Sequence, residues 1–140
     1  MCMVLYLAAD APLPEIPALE PPGAFSAQLL TAPDEPVRVQ FTKPFVYILG
    51  AHEGCSCGFK YGVGDEESDP SGRESVRRLG EYLVAALDHL GSVELYACWA
   101  GEEGEPAEMC EFLTTTTFTH EADAFELPQR WYATIITAAS

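Results

Sequence analysis

Between residues 45 and 99 the chain spells a strand, a helix and a second strand in succession, and this run restricts the possible folds more than any other feature. "FVYILG", residues 45–50, is aromatic and β-branched, is preceded by Pro44 and ends on a glycine, as a buried strand does. Beyond it, apolar side chains at Val76, Leu79, Leu83, Ala86, Leu87 and Leu90 recur at steps of three and four, which draws one stripe along a helix of about 71–90. "SGRE", Ser71 to Glu74, has the form of a capping box, and Asp69 with Pro70 offers a start two residues earlier. Gly91 supplies the stop. Arg73, Glu74, Arg77, Arg78, Glu81 and Asp88 form the solvated face, with Glu74 and Arg78 four apart. "SVELYACW", residues 92–99, is the next strand. Together they predict a right-handed βαβ unit with two neighbouring, parallel strands.

The remaining segments add strands at "MVLYLA" (3–8), "AFSAQLL", "FLTTTTF" and "RWYATII", where the second and third show a two-residue period. In "FLTTTTF", Phe112, Thr114, Thr116 and Phe118 would share one face. "DEPVRVQF", residues 34–41, stays open: Val37, Val39 and Phe41 alternate like a strand, yet Asp34 is able to cap a helix. "DAPLPEIPALEPPG", residues 10–23, holds five prolines and is expected to run as an extended strap. Pro14 and Pro17 match a PxxP spacing there, which a strap packed on its own domain explains without a partner. The expected fold class is α+β, or small α/β: one domain over 1–140, a mixed β-sheet with one βαβ unit, hairpin-length connections elsewhere, and one long amphipathic helix.

Charge narrows the function classes. The 22 acidic and 7 basic residues leave a formal net charge of −15, a field that repels nucleic acid and anionic membrane surfaces and attracts cations and basic proteins. The opening "MCMVLYLAADAPLP" has an apolar run of eight residues and no preceding Lys or Arg, so neither a signal peptide nor a membrane span is expected and a cytoplasmic location follows. Five cysteines, an odd number, argue against a disulfide framework there and leave metal binding, redox chemistry or burial.

The chemistry concentrates in "GAHEGCSCGFKYGVG", residues 50–64. Parallel strands place their carboxyl ends on one edge of a sheet, where ligand sites collect. The strand 45–50 runs directly into this loop and the strand 92–99 ends beside Cys98, so Cys55, Cys57, Cys98 and His52 form a candidate metal site. Thiolates and imidazole are the preferred ligands of zinc, and a Cys-x-Cys pair at a glycine-flanked turn offers two of them. Cys110 joins if its loop leaves the same edge, and Cys2 joins if the first strand is antiparallel to the other two. The repeated Cys-x2-Cys spacing of structural zinc modules is absent, so the same thiols also read as small buried hydrophobes. A thiol redox role is the third reading: Lys60, Arg73, Arg77 and the helix N-terminus would favour a thiolate, "DEESD" at 65–69 would oppose it, and Cys55 with Cys57 is able to close a strained disulfide. An EF-type calcium loop starting at Glu67 fails, because its twelfth position is Arg78 rather than Glu. Cys2 as an N-terminal nucleophile fails on Met3, where amidotransferases carry glycine.

"MCMVLYLAADAPLPEI" together with "KPFVYILGAHEGCSCGF" resembles a family of short, uncharacterised bacterial proteins that begin Met-Cys, carry a Pro-Leu-Pro step and have His-x-Gly-Cys-x-Cys-Gly-Phe after a hydrophobic strand. The resemblance covers most of residues 1–59 and implies a bacterial cytosolic origin and no particular activity. The leading expectation is therefore a thiol-rich site for a divalent metal such as zinc. Its rival is an acidic module that neutralises a basic protein partner, as small immunity proteins do for toxins, through the patches at 65–69 and 102–111.

Overall fold

The computed structural model describes residues 3–17, 24–30, 32–52, 56–62, 69–119 and 124–137. Six strands form one mixed sheet: β1 (Met3–Ala9), β2 (Ser26–Leu29), β3 (Phe45–Gly50), β4 (Ser92–Trp99), β5 (Met109–Thr114) and β6 (Trp131–Ile136). Their order across the sheet is β2-β3-β1-β4-β6-β5. The helices are α1 (Asp69–Leu87) and α2 (Thr116–Thr119), and 3-10 turns run over Ala32–Gln40 and Ser56–Gly58. The fold is a small α+β sheet protein, as the sequence leads one to expect. No helix among the described residues is long and apolar enough to cross a membrane.

β3 and β4 do run the same way, because each pairs antiparallel with β1. They are not neighbours, however: β1 lies between them, with Leu5 opposite Leu49 on one side and Ala97 on the other. The unit is thus a split βαβ. β1 is apolar along its whole length, MVLYLAA, and a strand buried on both faces belongs in the middle of a sheet.

Alternation along the strands separates two cores. Leu5, Leu7, Leu49, Leu95 and Ile135 face the stripe Val76, Leu79 and Leu83 of α1. Tyr6, Ala8, Val46, Tyr96 and Cys98 face the opposite way and are covered by Val37 from the 3-10 run. Burial of one such Leu or Val contributes about 1.5–3 kcal/mol, so the two layers account for most of the favourable term. The second face also carries a buried carboxylate. Glu94, 2% exposed, accepts hydrogen bonds from Thr42 N–H (3.0 Å), Lys43 N–H (3.1 Å), Thr42 Oγ1 (3.0 Å) and the Tyr132 hydroxyl, which fastens the end of the 3-10 run to β4 and β6.

Three local expectations are corrected. The open segment 34–41 resolves toward helix and not strand, residues 34–40 lying in the 3-10 run with Pro36 inside it. α1 starts at Asp69, the earlier of the two caps, and ends at Leu87 rather than at 90. "FLTTTTF" breaks in its middle: β5 stops at Thr114 and Thr116 to Thr119 is helical, which turns Phe118 into the helix-side core at 3% exposure. β5 and β6 are parallel, so this stretch is a second crossover rather than a hairpin. In the strap, Leu13 is clamped by the Tyr47 hydroxyl, which accepts its N–H at 2.7 Å, and Ile16 bridges to Ala27 of β2. The strap residues 18–23 lie outside the described residues.

Candidate functional site

Gly50 at the end of β3, Trp99 at the end of β4 and Met3 at the start of β1 share one rim of the sheet, since Met3 is opposite Trp99 and Leu5 is opposite Leu49. The antiparallel course of β1 is the condition set for Cys2 to reach that rim; Cys2 itself lies outside the described residues. From β3 the chain turns through Ala51 and His52 and comes back as the turn Ser56–Gly58.

Ser56, the residue between the two loop cysteines, makes the return possible. It is 2% exposed, and its hydroxyl accepts the Leu5 N–H at 2.8 Å while donating to the Leu49 carbonyl at 2.6 Å. One hydroxyl therefore bridges β1 and β3 at a register pair, where buried backbone groups would otherwise go unpaired. The next residue is Cys57, half-buried, whose Sγ accepts the Met3 N–H at 3.2 Å.

Close approaches at two glycines fix what surrounds this turn. A Cβ on Gly58 would lie 2.7 Å from Nδ1 of His52, so the imidazole rests on the turn. A Cβ on Gly72 would lie 1.8 Å from the Lys60 carbonyl oxygen, so the first turn of α1 sits directly on the backbone leaving the loop. The helix grips the loop from its other end through Ser75, which is fully buried and accepts the His52 N–H at 3.0 Å, with Nδ1 of the ring 3.3 Å away.

Beside Cys57 opens a cleft of about 440 Å³ whose walls include Met3, Lys60, Trp99, Glu126 and Gln129. It lies where ligand sites collect in sheets with parallel strands, and its lining mixes an aromatic surface with one cation and one carboxylate. Lys60 is the cation that reaches it. Arg77 is held on the exposed helix face by Glu74 and Glu81, at 2.6 and 3.0 Å, and Arg73 lies 4.3 Å over the ring of Tyr61. The Arg77 hydrogen bond, with help from Arg78 and against partial desolvation, holds the Glu74 carboxyl below its ordinary range. Arg77 thus serves the carboxylates of its own helix face, and Arg73 stands against an aromatic ring.

The four-residue site Cys55, Cys57, Cys98 and His52 is not assembled as expected. Cys98 is fully buried among Tyr6, Ala8 and Tyr96 on the face away from α1 and the loop, because it is one residue out of phase with Trp99. Parallel strands bring residues to a common rim, but the pleat decides the face, and the side chain at 98 takes the wrong one. Cys98 behaves as a small core hydrophobe. Cys110 is exposed on β5, separated from β4 by β6, and does not join either. His52 and Cys57 do lie in the same loop, and Cys55 falls outside the described residues, as do 65–68 of the acidic stretch and His120. Among the described residues no three His, Cys, Asp or Glu side chains converge as metal ligands.

Sequence reasoning missed Ser56 and the cleft wall at Trp99, Glu126 and Gln129. A serine between two cysteines invites attention to its neighbours, and nothing in the spacing brings residues 126–129 to the rim, because the connection from α2 to β6 has no periodicity to read. Comparison of the chain with protein-family models, with curated proteins and with solved structures returns no match, so the geometry of the site is what speaks for its use.

Proposed function

We propose that this protein binds a small ligand in the cleft at the rim of the sheet, with the Cys57 thiol as the anchoring group. The observation that carries the reading is the position of Cys57. Cys57 lines the cleft, and its sulfur accepts the Met3 N–H at 3.2 Å, a backbone contact that fixes where the sulfur sits for whatever enters. Lys60 and Glu126 supply one charge of each sign for orientation, and Trp99 supplies an apolar wall. A thiophilic centre fits this anchor: a soft or borderline divalent ion such as zinc, which the overall charge of −15 would concentrate near the surface, or a small molecule that carries one. Cys98 has no part in it, and zinc in a closed four-ligand cage is not the form proposed.

Cadmium is the direct probe, because it reports thiolate contact by its charge-transfer absorption. In a Cys110→Ser background, which removes the exposed thiol of β5, the protein should bind cadmium, lose that binding on Cys57→Ser and keep it on Cys98→Ala. Native mass spectrometry of the protein purified from bacteria, with and without chelator, then shows whether a metal is carried. Cadmium binding that is indifferent to Cys57→Ser would reject the proposal.

A further inference from the structure

We propose that the outer edge of β5 is a docking site for an extended basic segment of a partner protein, which joins the sheet as a further strand. This goes beyond the cleft and is independent of it.

The two edges of the sheet are treated differently. At β2 the chain closes the edge with its own strap: Ile16 and Ala27 exchange backbone hydrogen bonds at 2.8 and 2.9 Å. At β5, among the described residues, nothing pairs with the outer side. An unused edge is normally guarded by lysine, proline or a bulge. β5 reads MCEFLT and has neither lysine nor proline, and it leaves Phe112 82% exposed and Met109 44% exposed. Register puts Cys110, Phe112 and Thr114 on the same face as Ile136, itself 41% exposed, and puts Met109, Glu111 and Leu113 on the other. An added strand would therefore meet Phe112 and Ile136 on one face and, on the other, the Glu111 carboxylate between Met109 and Leu113.

Charge decides the occupant. Residues 102–111 hold five glutamates, Glu102, Glu103, Glu105, Glu108 and Glu111. Glu108 alone among them is ion-paired within the described residues, to Arg130. Glu102 and Glu111 accept from neutral donors, Gln129 Nε2 and Trp131 Nε1, and these contacts bring no cation to them. A second copy of this chain would bring the same acids and its own net charge of −15 to the contact, so self-pairing is opposed. The fitting partner alternates Lys or Arg with Val, Ile or Phe: its main chain pairs with β5, its apolar side chains lie against Phe112 and Ile136, and its cations face Glu111. The field of the five carboxylates speeds the encounter and fixes its sign.

The probe is a fluorescein-labelled, end-capped peptide of about eight residues alternating Lys and Val, long enough for one strand, titrated into the full chain. Saturable binding at one peptide per chain is expected, together with slowed amide exchange across 109–114. It should weaken about tenfold or more on Phe112→Ser, an exposed position that the fold does not need, and likewise when alternate peptide nitrogens are methylated so that one edge cannot pair. Binding that is unchanged by both alterations is charge attraction alone and overturns the proposal, as does no binding at all. Sedimentation that shows a dimer abolished by Phe112→Ser would also overturn it, in favour of a second copy as occupant.

Discussion

Replacing Ser56 with alanine removes the one hydroxyl that joins β1 to β3 at the rim, and the cost can be worked from its contacts. The Leu5 N–H loses its acceptor and the Leu49 carbonyl loses its donor, both at a site only 2% exposed. A buried backbone group left unpaired costs about 1–3 kcal/mol, so the two together predict a loss of roughly 2–6 kcal/mol. For a domain of this length each kcal/mol moves Tm by about 3–4 °C, which places the fall near 6–24 °C. Urea denaturation of Ser56→Ala should lower the midpoint at an unchanged slope, and the Leu5 amide should exchange much faster than in the parent. Cys57→Ser is the control. A hydroxyl in its place still accepts from Met3, so its stability should stay within about 1 kcal/mol of the parent. The reasoning fails if Ser56→Ala is within about 0.5 kcal/mol of the parent, or if Leu5 exchange is unaffected.

Other substitutions test the rest of the frame. Gly72→Ala places a methyl 1.8 Å from the Lys60 carbonyl oxygen, and since backbone must move to relieve it, a loss of about 1–3 kcal/mol or more is expected, with faster exchange across 56–61; thermal melts and exchange would show it. Glu94→Ala strands four donors and should cost about 3–5 kcal/mol, whereas Glu94→Gln should cost much less, because the Thr42 and Tyr132 hydroxyls are able to turn and accept from the new amide; equal midpoints for the two variants in urea would refute that account. Above neutral pH the buried tyrosines matter. Tyr96 is pushed up to about 12, first by burial and then by the neighbouring Cys98, and Tyr82 and Tyr132 are raised mainly by burial. With an unfolded value near 10, the folded state holds these protons more tightly, so their contribution is complete below about pH 10 and is lost as pH rises toward the folded values. Tyr96→Phe should flatten the fall in stability between pH 10 and 12 by up to about 1.4 kcal/mol per pH unit, measured by urea midpoints across that range.

What was legible in the sequence followed from periodicity. The stripe from Val76 to Leu87 has a period that only a helix satisfies, β3 is marked by a short β-branched and aromatic run between Pro44 and Gly50, and the parallel sense of β3 and β4 follows from a single helix joining them. Their separation by β1 was not legible, because local pattern says that a strand is buried and not which strands flank it. Cys98 illustrates the same limit at the level of one side chain. Its distance along the chain from Trp99 is a single residue, and that residue decides between the two faces of the sheet. The run 112–118 misled for a related reason: four threonines have high strand propensity, and the burial of Phe118 against the helical layer overrode it.

The central place of β1 sets an order of events during synthesis. It leaves the ribosome before either neighbour exists, and its second partner, β4, ends only at Trp99. Until Gly50 has emerged this apolar ribbon has no lateral companion, and until Trp99 it has only β3, so the nascent chain depends on slow, distant pairing rather than on local hairpins. A long exposure of this ribbon during translation is therefore built into the topology, and a rearranged chain in which the β1 segment is inserted behind β3 should shorten it.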